Sequence, residues 1–277
     1  NKKLKAFWLF LEKISVFDRC FFQPLVLLSI SFYKNMQIDL RDKKIIVTGA
    51  SSGIGFEIAR ALIDAGATVA IHYNSNQKGA ERLLKEGNDS SVFKADLSNE
   101  NETKLFFETV LSAFHQIDMI VNNVGIFENH SIDSSSDNWM NIWHKTMNTN
   151  LHSVGLLTHL GLQHFKINQA GRMVYISSRA AFRGETEEHL AYAASKGALV
   201  SLGRTVARSF GQYNIKSFIL APGFTKTPMA EDYIETNGEE SILKDAAIKE
   251  LTLPEHISPI VVLIAAGLMD HATGSTI

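Results

Sequence analysis

The sequence predicts a single α/β domain with a doubly wound parallel sheet, and three observations point to this fold. From residue 44 onward, short apolar and β-branched runs alternate with amphipathic stretches of helical periodicity, which is the pattern of repeated βαβ units. The stretches between the runs are long enough to cross over from one parallel strand to the next. The chain of 277 residues is also long enough to bury the core of one such domain.

The six apolar runs are interpreted as six parallel strands. They cover residues 45–48, 68–73, 91–95, 119–122, 172–177 and 216–220. Gly66 stands where the first helix should end, and glycine readily adopts the positive φ of such a turn. The polar residues 133–138 predict a loop before a helix that carries Trp139 and Trp143. Because helices then cover both faces, ligands should bind beyond the carboxyl ends of the strands.

Composition and charge favour an ordinary globular protein with a small molecule as its partner. Hydrophobic residues make up 45% of the chain and charged residues 20%, which argues against a disordered or fibrous chain. The formal net charge is -2, and no dense Lys/Arg cluster suits a nucleic-acid backbone. The one cysteine, Cys20, cannot form an intrachain disulfide, which favours the cytoplasm. The ten histidines show no HExxH-like spacing, so no metal site is expected.

Residues 1–35 differ from the rest of the chain, and two interpretations stay open. Two apolar runs, residues 6–11 and 20–33, are separated by charges, and Pro24 interrupts the second run. Neither run reaches the roughly 20 apolar residues of a spanning helix, so a membrane anchor or targeting signal is the less favoured alternative. The other is an appended segment of uncertain status. The folded domain is therefore expected to occupy residues 36–277.

A glycine-rich segment follows the first predicted strand at once. Residues 48–55 have the sequence TGASSGIG, within which a helical pattern begins. Glycines at a strand-to-helix turn let a pyrophosphate approach the backbone, and N–H groups at the helix N-terminus can bind its oxygens. A tight turn without a ligand is the alternative that this segment alone leaves open.

Tyr192 and Lys196 lie four residues apart at the start of a helical pattern. This spacing brings phenol and ammonium to one face of the helix. An ammonium about 5 Å away contributes roughly 3 kcal/mol at an effective dielectric constant of about 20, so we expect it to lower the phenol pKa by about two units. Such a tyrosine can donate a proton to a carbonyl or accept one from an alcohol. A surface pair of the two side chains is the alternative.

Five motifs, taken together, resemble those of the short-chain dehydrogenase/reductase (SDR) family. They are TGASSGIG, NNVG at residues 122–125, VYISS at 174–178, the Tyr-x-x-x-Lys pair, and APGFTKT at 221–227. The resemblance extends from residue 44 to the last residue and implies a Rossmann-type sheet. It also implies an NAD(P)-dependent oxidoreductase that transfers a hydride between the nicotinamide cofactor and a carbonyl or secondary alcohol.

The resemblance assigns roles to individual residues. Tyr192 matches the general acid/base, with Lys196 beside it, and Ser178 matches the hydrogen-bond donor to the substrate carbonyl. Asn150 matches the fourth catalytic residue, which holds a water that relays protons through Lys196. The remaining matches are cofactor contacts, and they are Gly49, Ser51, Ser52, Gly53, Ile54, Gly55, Asn74, Asp96, Leu97, Asn123, Gly125, Pro222, Gly223, Thr225 and Thr227, besides Tyr192 and Lys196 themselves.

Two of these cofactor contacts have a structural alternative. Asp96 is expected to border the adenine, but Asp96 or Ser98 would equally suit as the N-cap of the next helix. Asn123 is expected to hold its loop against the cofactor, but a buried asparagine that only satisfies loop backbone groups would look the same in the sequence.

The end of the second predicted strand bears on the choice between NAD and NADP. An acidic side chain there accepts hydrogen bonds from the ribose 2′-OH of NAD and repels the additional phosphate of NADP. Tyr73 stands where an NAD-selective relative carries Asp, and residues 70–76 contain no acid. NADP is therefore modestly favoured over NAD, with Asn74, Ser75 and Lys78 as candidate phosphate contacts.

The substrate is expected to be a small carbonyl or alcohol compound. Specificity should come from two loops, residues 182–189 and 229–251. Phe182, Phe224 and Met229 favour a hydrophobic ketone or an acyl thioester, and a similarity to 3-oxoacyl carrier-protein reductases points the same way. Three glutamates among residues 182–189 argue against a strongly anionic substrate.

Assembly and alternative functions complete the expectations. The resemblance implies a homodimer or homotetramer through the helices that contain Asn150 and Tyr192, and relatives continue past residue 277 to a glycine-rich tail, so the domain is expected to be truncated there. A catalytically silent dinucleotide-binding sensor or scaffold is the alternative function, although four intact catalytic matches argue against it. A membrane-attached enzyme that uses residues 1–35 is a third.

Overall fold

The computed structural model of the chain describes residues 38–244 and 246–277, and one parallel sheet forms the centre of this part. Its strands are β1 (Lys44–Val47), β2 (Thr68–Tyr73), β3 (Ser91–Lys94), β4 (Met119–Asn122), β5 (Gly171–Ile176) and β6 (Ile215–Leu220). They lie in the order β3-β2-β1-β4-β5-β6, and every neighbouring pair is parallel. This doubly wound, Rossmann-type order confirms the predicted fold class. The predicted extension at residues 1–35 lies outside the described residues.

Helices connect the strands and pack against the sheet. They are α1 (Gly53–Asp64), α2 (Gln77–Glu81), α3 (Glu100–Phe114), α4 (Ser136–Met147), α5 (Ser153–Asn168), α6 (Ala180–Arg183), α7 (Leu190–Phe210), α8 (Glu231–Asn237), α9 (Glu239–Leu243) and α10 (Pro254–Ala265). A π-helical turn, Asn148–His152, joins α4 to α5, and 3₁₀ turns cover Gly211–Tyr213, Pro228–Ala230 and Asp270–Ala272. A buried apolar cluster joins the sheet to α3, α5 and α7, while α1 packs against α10.

The strands form where the sequence predicts them, within one residue at each end. The inner strands are almost wholly buried, because helices cover both faces of the sheet. This burial is why they appear in the sequence as near-continuous apolar runs. Strand β3 lies at the edge of the sheet and is partly exposed. Gly66 has a φ of +97°, which confirms the predicted turn between α1 and β2.

Two helix starts differ from the predictions. Helix α3 is capped by Asn99, whose side-chain oxygen accepts from the backbone N–H groups of Asn101 and Glu102. Asp96 accepts instead from the N–H and hydroxyl of Ser98, so the prediction that Asp96 or Ser98 caps this helix was wrong. The polar run 133–138 is only partly a loop, because α4 begins at Ser136 after a Ser135 cap.

Residues near the end of the sequence extend the sheet beyond β6. The N–H of Ile219 donates to the carbonyl of Ser275 at 3.1 Å, and the N–H of Ile277 donates back to Ile219 at 2.9 Å. Thr276 forms a parallel bridge with Ile219. Among the helices of the described residues, none is both long and apolar enough to cross a membrane.

Candidate active site

A cavity of about 460 Å³ lies at the carboxyl ends of the strands, where a doubly wound sheet binds its ligands. Its wall is built from the segments that follow five of the strands. They contribute residues 49 and 51–54 after β1, 74–75 after β2, 123–127 after β4, 177–179 after β5, and 222–225 with 227–230 after β6. Tyr192 and Lys196 of α7 complete the wall. The two parts of the predicted site, the glycine-rich turn and the Tyr-Lys pair, therefore share one cavity.

The glycine-rich turn is packed so closely that side chains would not fit at its glycines. Gly49 and Gly53 have positive φ values of 62° and 57°, which favour glycine. A Cβ atom on Gly55 would lie 2.3 Å from the carbonyl oxygen of Gly49. The side chain of Ser52 does not cap α1, so N–H groups of the first turn stay available at the cavity wall. This arrangement fits the pyrophosphate of a dinucleotide.

Asn123 and Thr48 tie the glycine-rich turn to the loop after β4. The side-chain amide of Asn123 donates to the carbonyls of Thr48 and Gly49 at 2.9 and 3.1 Å. The hydroxyl of Thr48 accepts from the N–H groups of Asn123 and Val124 at 2.9 and 3.0 Å. Asn123 thus forms hydrogen bonds with backbone groups of the turn, which is the structural role considered as the alternative to cofactor contact. It also lines the cavity.

His72 is a further support of the turn that the sequence analysis missed. Its Nδ1 accepts from the N–H of Gly49 at 3.0 Å, so Nε2 carries the proton and donates to the carbonyl of Ala95, also at 3.0 Å. Burial lowers the pKa of His72 to about 4, which keeps the ring neutral. The available signal was a histidine inside the apolar strand β2, because a buried polar side chain needs hydrogen-bond partners.

The Gly55→Ala variant is expected to bind the dinucleotide roughly 5- to 100-fold more weakly, since 1.4 kcal/mol corresponds to tenfold. The added methyl would displace the Gly49 carbonyl and the Asn123 amide, and overpacking of this kind costs about 1–3 kcal/mol. Titration of NADPH against intrinsic fluorescence measures the affinity. Gly211→Ala is the matched control, because its Cβ would meet no atom within 4 Å. Unchanged affinity in Gly55→Ala would contradict the assigned role of the turn.

Tyr192 and Ser178 meet at the cavity wall. Tyr192 lies in the first turn of α7, Ser178 follows β5, and both side chains line the cavity. Ser178 Oγ also accepts from the N–H of Ala180 at 3.1 Å, which fixes its position. Burial raises the pKa of Tyr192, and the Ser178 hydroxyl opposes this rise.

Lys196 is buried beside this pair, with 4% of its surface exposed. Its Nζ donates to the carbonyl of Ile176 at 2.9 Å and lies 5.6 Å from the centre of the Tyr192 ring. Burial lowers the pKa of Lys196 to about 8. The expected lowering of the phenol pKa was wrong, because the expectation counted the ammonium charge but not the desolvation of Tyr192. A Cβ on Gly125 would lie 3.2 Å from Nζ, so this glycine leaves room for the ammonium.

Asn150 lies within the long helix after residue 138, as predicted, in the π-helical turn through which α4 continues directly into α5. It is fully buried, and its amide is held on both sides. Its Oδ1 accepts from the N–H of Ile126 at 2.8 Å, while Nδ2 donates to the Ile126 carbonyl at 3.0 Å and to Ser195 Oγ at 3.2 Å. Asn150 therefore joins the loop after β4 to α7, directly behind the wall that Gly125 and Lys196 form.

Most predicted cofactor contacts line the cavity, but a few do not. Asn74, Ser75 and the residues of the loop after β6 are in the wall. Three predicted contacts are absent from it, and they are Gly55, Asp96 and Leu97. Lys78, offered as a phosphate contact, is also absent. Gly55 acts by close packing within the turn, Leu97 is buried in the apolar cluster, and Asp96 holds the turn before α3.

Besides Lys196, the charged residues that line the cavity are one glutamate and two arginines, whereas the sequence pointed to three glutamates in the loop at residues 182–189. Phe224 and Met229 line the wall as predicted, but Phe182 does not and is 58% exposed elsewhere. Of the three glutamates in residues 182–189, only Glu185 lines the cavity. Arg179 and Arg183 line it too. In the described part of the chain, no group of three or more His, Cys, Asp or Glu side chains is placed to hold a metal ion.

Comparisons with known proteins agree with this geometry. The sequence model of the family described as short chain dehydrogenase matches residues 43–238. The 3-oxoacyl-[acyl-carrier-protein] reductase FabG of Chlamydia pneumoniae is 28% identical over 246 residues, which cover 87% of this chain and 97% of that protein. The match to the family spans most of the chain and includes every segment of the cavity wall.

Solved structures show the same fold. The 3-ketoacyl-(acyl-carrier-protein) reductase from Brucella melitensis, complexed with NADH, has a TM-score of 0.75 at 25% identity, over 85% of this chain and 95% of that one. A protein assigned as an NAD(P)-dependent gluconate 5-dehydrogenase, from Beutenbergia cavernae with NADP at low occupancy, has a TM-score of 0.80 at 26% identity, over 87% and 96%. The chain belongs to the short-chain dehydrogenase/reductase family and is an NAD(P)-dependent oxidoreductase that acts on carbonyl or alcohol groups.

Proposed function

We propose that this oxidoreductase interconverts a ketone and a secondary alcohol, with Tyr192 exchanging the proton. The observation that carries the proposal is one cavity that is lined both by Ser178, Tyr192 and Lys196 and by the glycine-rich turn. When bound there, the nicotinamide dinucleotide supplies the hydride for reduction or accepts it during oxidation. The chain itself has to bind the dinucleotide, orient the substrate and supply the proton.

Tyr192 and Ser178 would hold the carbonyl oxygen between their hydroxyl groups. Both hydroxyl groups belong to the wall of one cavity, and the Ser178 hydroxyl acts on the pKa of Tyr192, so a carbonyl oxygen placed there can accept from both. Tyr192 then gives its proton to this oxygen in reduction, and it takes the proton back from the alcohol in oxidation. Its raised pKa keeps the phenol protonated at neutral pH, which suits the reduction direction.

Lys196 and Asn150 would support this proton transfer. With a pKa of about 8, Lys196 carries its charge at neutral pH and can stabilise the tyrosinate that remains after the transfer. Asn150 holds the loop after β4 in place beside Lys196 through Ile126. We propose that it also holds a water that relays protons through Lys196.

The proposal is tested by the loss of reduced-nicotinamide absorbance. NADPH and NADH are each mixed with the full chain and a panel of ketones, diketones and acyl thioesters. Turnover of at least one ketone is expected. The alternative, a silent dinucleotide-binding sensor or scaffold, finds no support in the comparisons, and it would be favoured by cofactor binding without turnover of any carbonyl compound.

We also propose a preference for NADP over NAD, and the Asn74→Asp variant is expected to reverse it. Asn74 is exposed at the end of β2 and lines the cavity. A carboxylate there would repel the additional phosphate of NADPH and accept hydrogen bonds from the ribose of NADH. The ratio of kcat/KM for NADPH to that for NADH should fall by about 10-fold or more, since 1.4 kcal/mol corresponds to tenfold.

The control is Asn74→Ala, which removes the amide without adding charge. It should lower the ratio less than Asn74→Asp does. An unchanged ratio in Asn74→Asp would show that the end of β2 does not contact the phosphate.

Substrate class, assembly and compartment are further parts of the proposal. The names of the relatives suggest either a 3-oxoacyl thioester or a sugar acid as the type of substrate, and both contain a carbonyl or carbinol group beside a longer chain. We propose a cytoplasmic homodimer or homotetramer that acts on a small molecule. Sedimentation of the full chain tests the assembly, and a monomer at micromolar concentration would contradict it.

A further inference from the structure

Arg179 brings a positive charge to the cavity wall directly beside Ser178. Its backbone N–H donates to the carbonyl of Pro222 at 3.1 Å, which joins the end of β5 to the loop after β6. Its guanidinium carbon lies 5.6 Å from the centre of the Phe224 ring. Both side chains line the same cavity as Tyr192. The charge thus belongs to the same cavity wall as Ser178 and Tyr192.

This guanidinium has no acidic partner within the residues that the structure describes. The nearby Glu185 pairs with Arg183 at 3.7 Å, and no described Asp or Glu oxygen lies within 4 Å of Arg179. Burial, followed by the charge of Arg183, lowers the pKa of Arg179. A half-buried charge without a partner is costly, so an anionic ligand beside it is favourable.

The acidic residues of the same loop do not cancel this charge. Glu187 and Glu188 are exposed and do not line the cavity. Glu185 does; it pairs with Arg183, and its charge also raises the pKa of Arg179, against the larger effects of burial and of Arg183. The expectation that glutamates of this loop oppose an anionic substrate stays a prediction, and of the three glutamates only Glu185 lines the cavity, together with Arg179 and Arg183.

We propose that the substrate is a short oxo acid or hydroxy acid, whose carboxylate binds the guanidinium of Arg179 while its carbonyl or carbinol group lies at Ser178 and Tyr192. This deepens the proposed function and rests on it. In reduction, the reduced nicotinamide gives a hydride to the carbonyl carbon and Tyr192 gives a proton to the oxygen. The products are the hydroxy acid and the oxidised cofactor, and the carboxylate is unchanged.

The position of Arg179 also limits the length of the acid. The charge of Arg179 lowers the pKa of Tyr192, so the guanidinium lies near the phenol in the same cavity, and an acid that spans the two groups needs only a short chain between its carbonyl and its carboxylate. A carboxylate of a short chain meets this condition. The phosphate of a carrier-bound acyl thioester does not meet it, because the whole length of the carrier arm separates this phosphate from the carbonyl.

Matched acid and ester pairs test the proposal in the presence of NADPH. Acetoacetate, 4-oxopentanoate and 5-oxohexanoate are compared with their methyl esters, which keep the ketone and remove the charge. The protein should prefer at least one acid to its ester, and Arg179→Gln should lower kcat/KM for that acid by about 10- to 100-fold, as expected for a hydrogen bond to a charged group. The ester should be affected far less.

Arg208→Gln is the matched control, because Arg208 is exposed on α7 outside this cavity. It should leave kcat/KM for the acid unchanged. Equal use of acid and ester, or an equal loss for both in Arg179→Gln, would overturn the acid site and leave ketone reduction standing.

Calorimetric binding separates the acid site from the chemistry. 4-Oxopentanoate and its methyl ester are titrated into the protein saturated with NADP⁺, where no reduction can occur. Binding that is selective for the acid and lost in Arg179→Gln supports the site even where the absorbance assay finds no turnover and the proposed function fails. Binding without acid selectivity overturns it.

Discussion

The Tyr192→Phe variant is expected to lose carbonyl reduction by about 10³-fold in kcat, near the upper range for loss of a general acid. The substitution removes only the hydroxyl that would protonate the substrate oxygen. The ring keeps its edge-to-face contact with Phe127, with centroids 4.8 Å apart, so the local packing is preserved. Most of the affinity for NADPH should remain, because the substitution removes one of many expected cofactor contacts and leaves the glycine-rich turn unchanged. Stopped-flow absorbance of the reduced nicotinamide measures the rate.

The Tyr213→Phe variant is the matched control. Tyr213 lies in the 3₁₀ turn after α7, and it does not line the cavity. This variant should keep full activity. A Tyr192→Phe protein that retained most of its kcat would rule out Tyr192 as the proton donor, while a parallel loss of NADPH affinity would point to a disturbed fold.

The Lys196→Met variant is expected to be nearly inactive and yet more stable at neutral pH. Loss of the charge that supports the tyrosinate should lower kcat by about 10²- to 10³-fold. Burial lowers the pKa of Lys196 from 10.5 to about 8, which corresponds to a penalty of about 3 kcal/mol for the charged form in the folded state. The variant also loses the hydrogen bond to the Ile176 carbonyl, which lowers its stability by about 1 kcal/mol. A net gain of about 2 kcal/mol is expected.

The stability difference between the two proteins should depend on pH in a definite direction. Below pH 8 the folded wild-type protein bears the whole penalty. Between pH 8 and 10.5 the unfolded chain binds more protons than the folded one, so the stability of the wild type rises with pH. The gain from Lys196→Met should therefore shrink as the pH rises. Urea unfolding at pH 7 and at pH 9.5 measures it, and a gain that grew with pH would show that Lys196 is not buried as a cation.

The fold and the outline of the site follow from local patterns of the sequence. The strands are continuous apolar runs, and the glycine-rich turn needs glycine at Gly49 and Gly53 because of their positive φ. Such patterns lie within a few neighbouring residues. The sequence order of the motifs then determines that they meet at one edge of the sheet, since the carboxyl ends of parallel strands lie together.

Features that depend on residues distant in the sequence were not predicted. The role of His72 requires the turn after β1 and the end of β3 to meet around its ring. The pKa of Tyr192 depends on burial by several segments, and the charge on the substrate side depends on Glu185 meeting Arg183 instead of Arg179. The bonds of Asn150 to Ile126 and Ser195 likewise join residues that are distant in the sequence.

Transfer of deuterium from the cofactor tests the central claim most directly. The protein is incubated with NADPH that carries two deuterium atoms at C4 of the nicotinamide, together with a ketone that it consumes, and the product is analysed by mass spectrometry. A secondary alcohol with one deuterium on its carbinol carbon is the expected product. Cofactor oxidation without deuterium in the product, or an alcohol with hydrogen from water on that carbon, would contradict direct hydride transfer in this cavity.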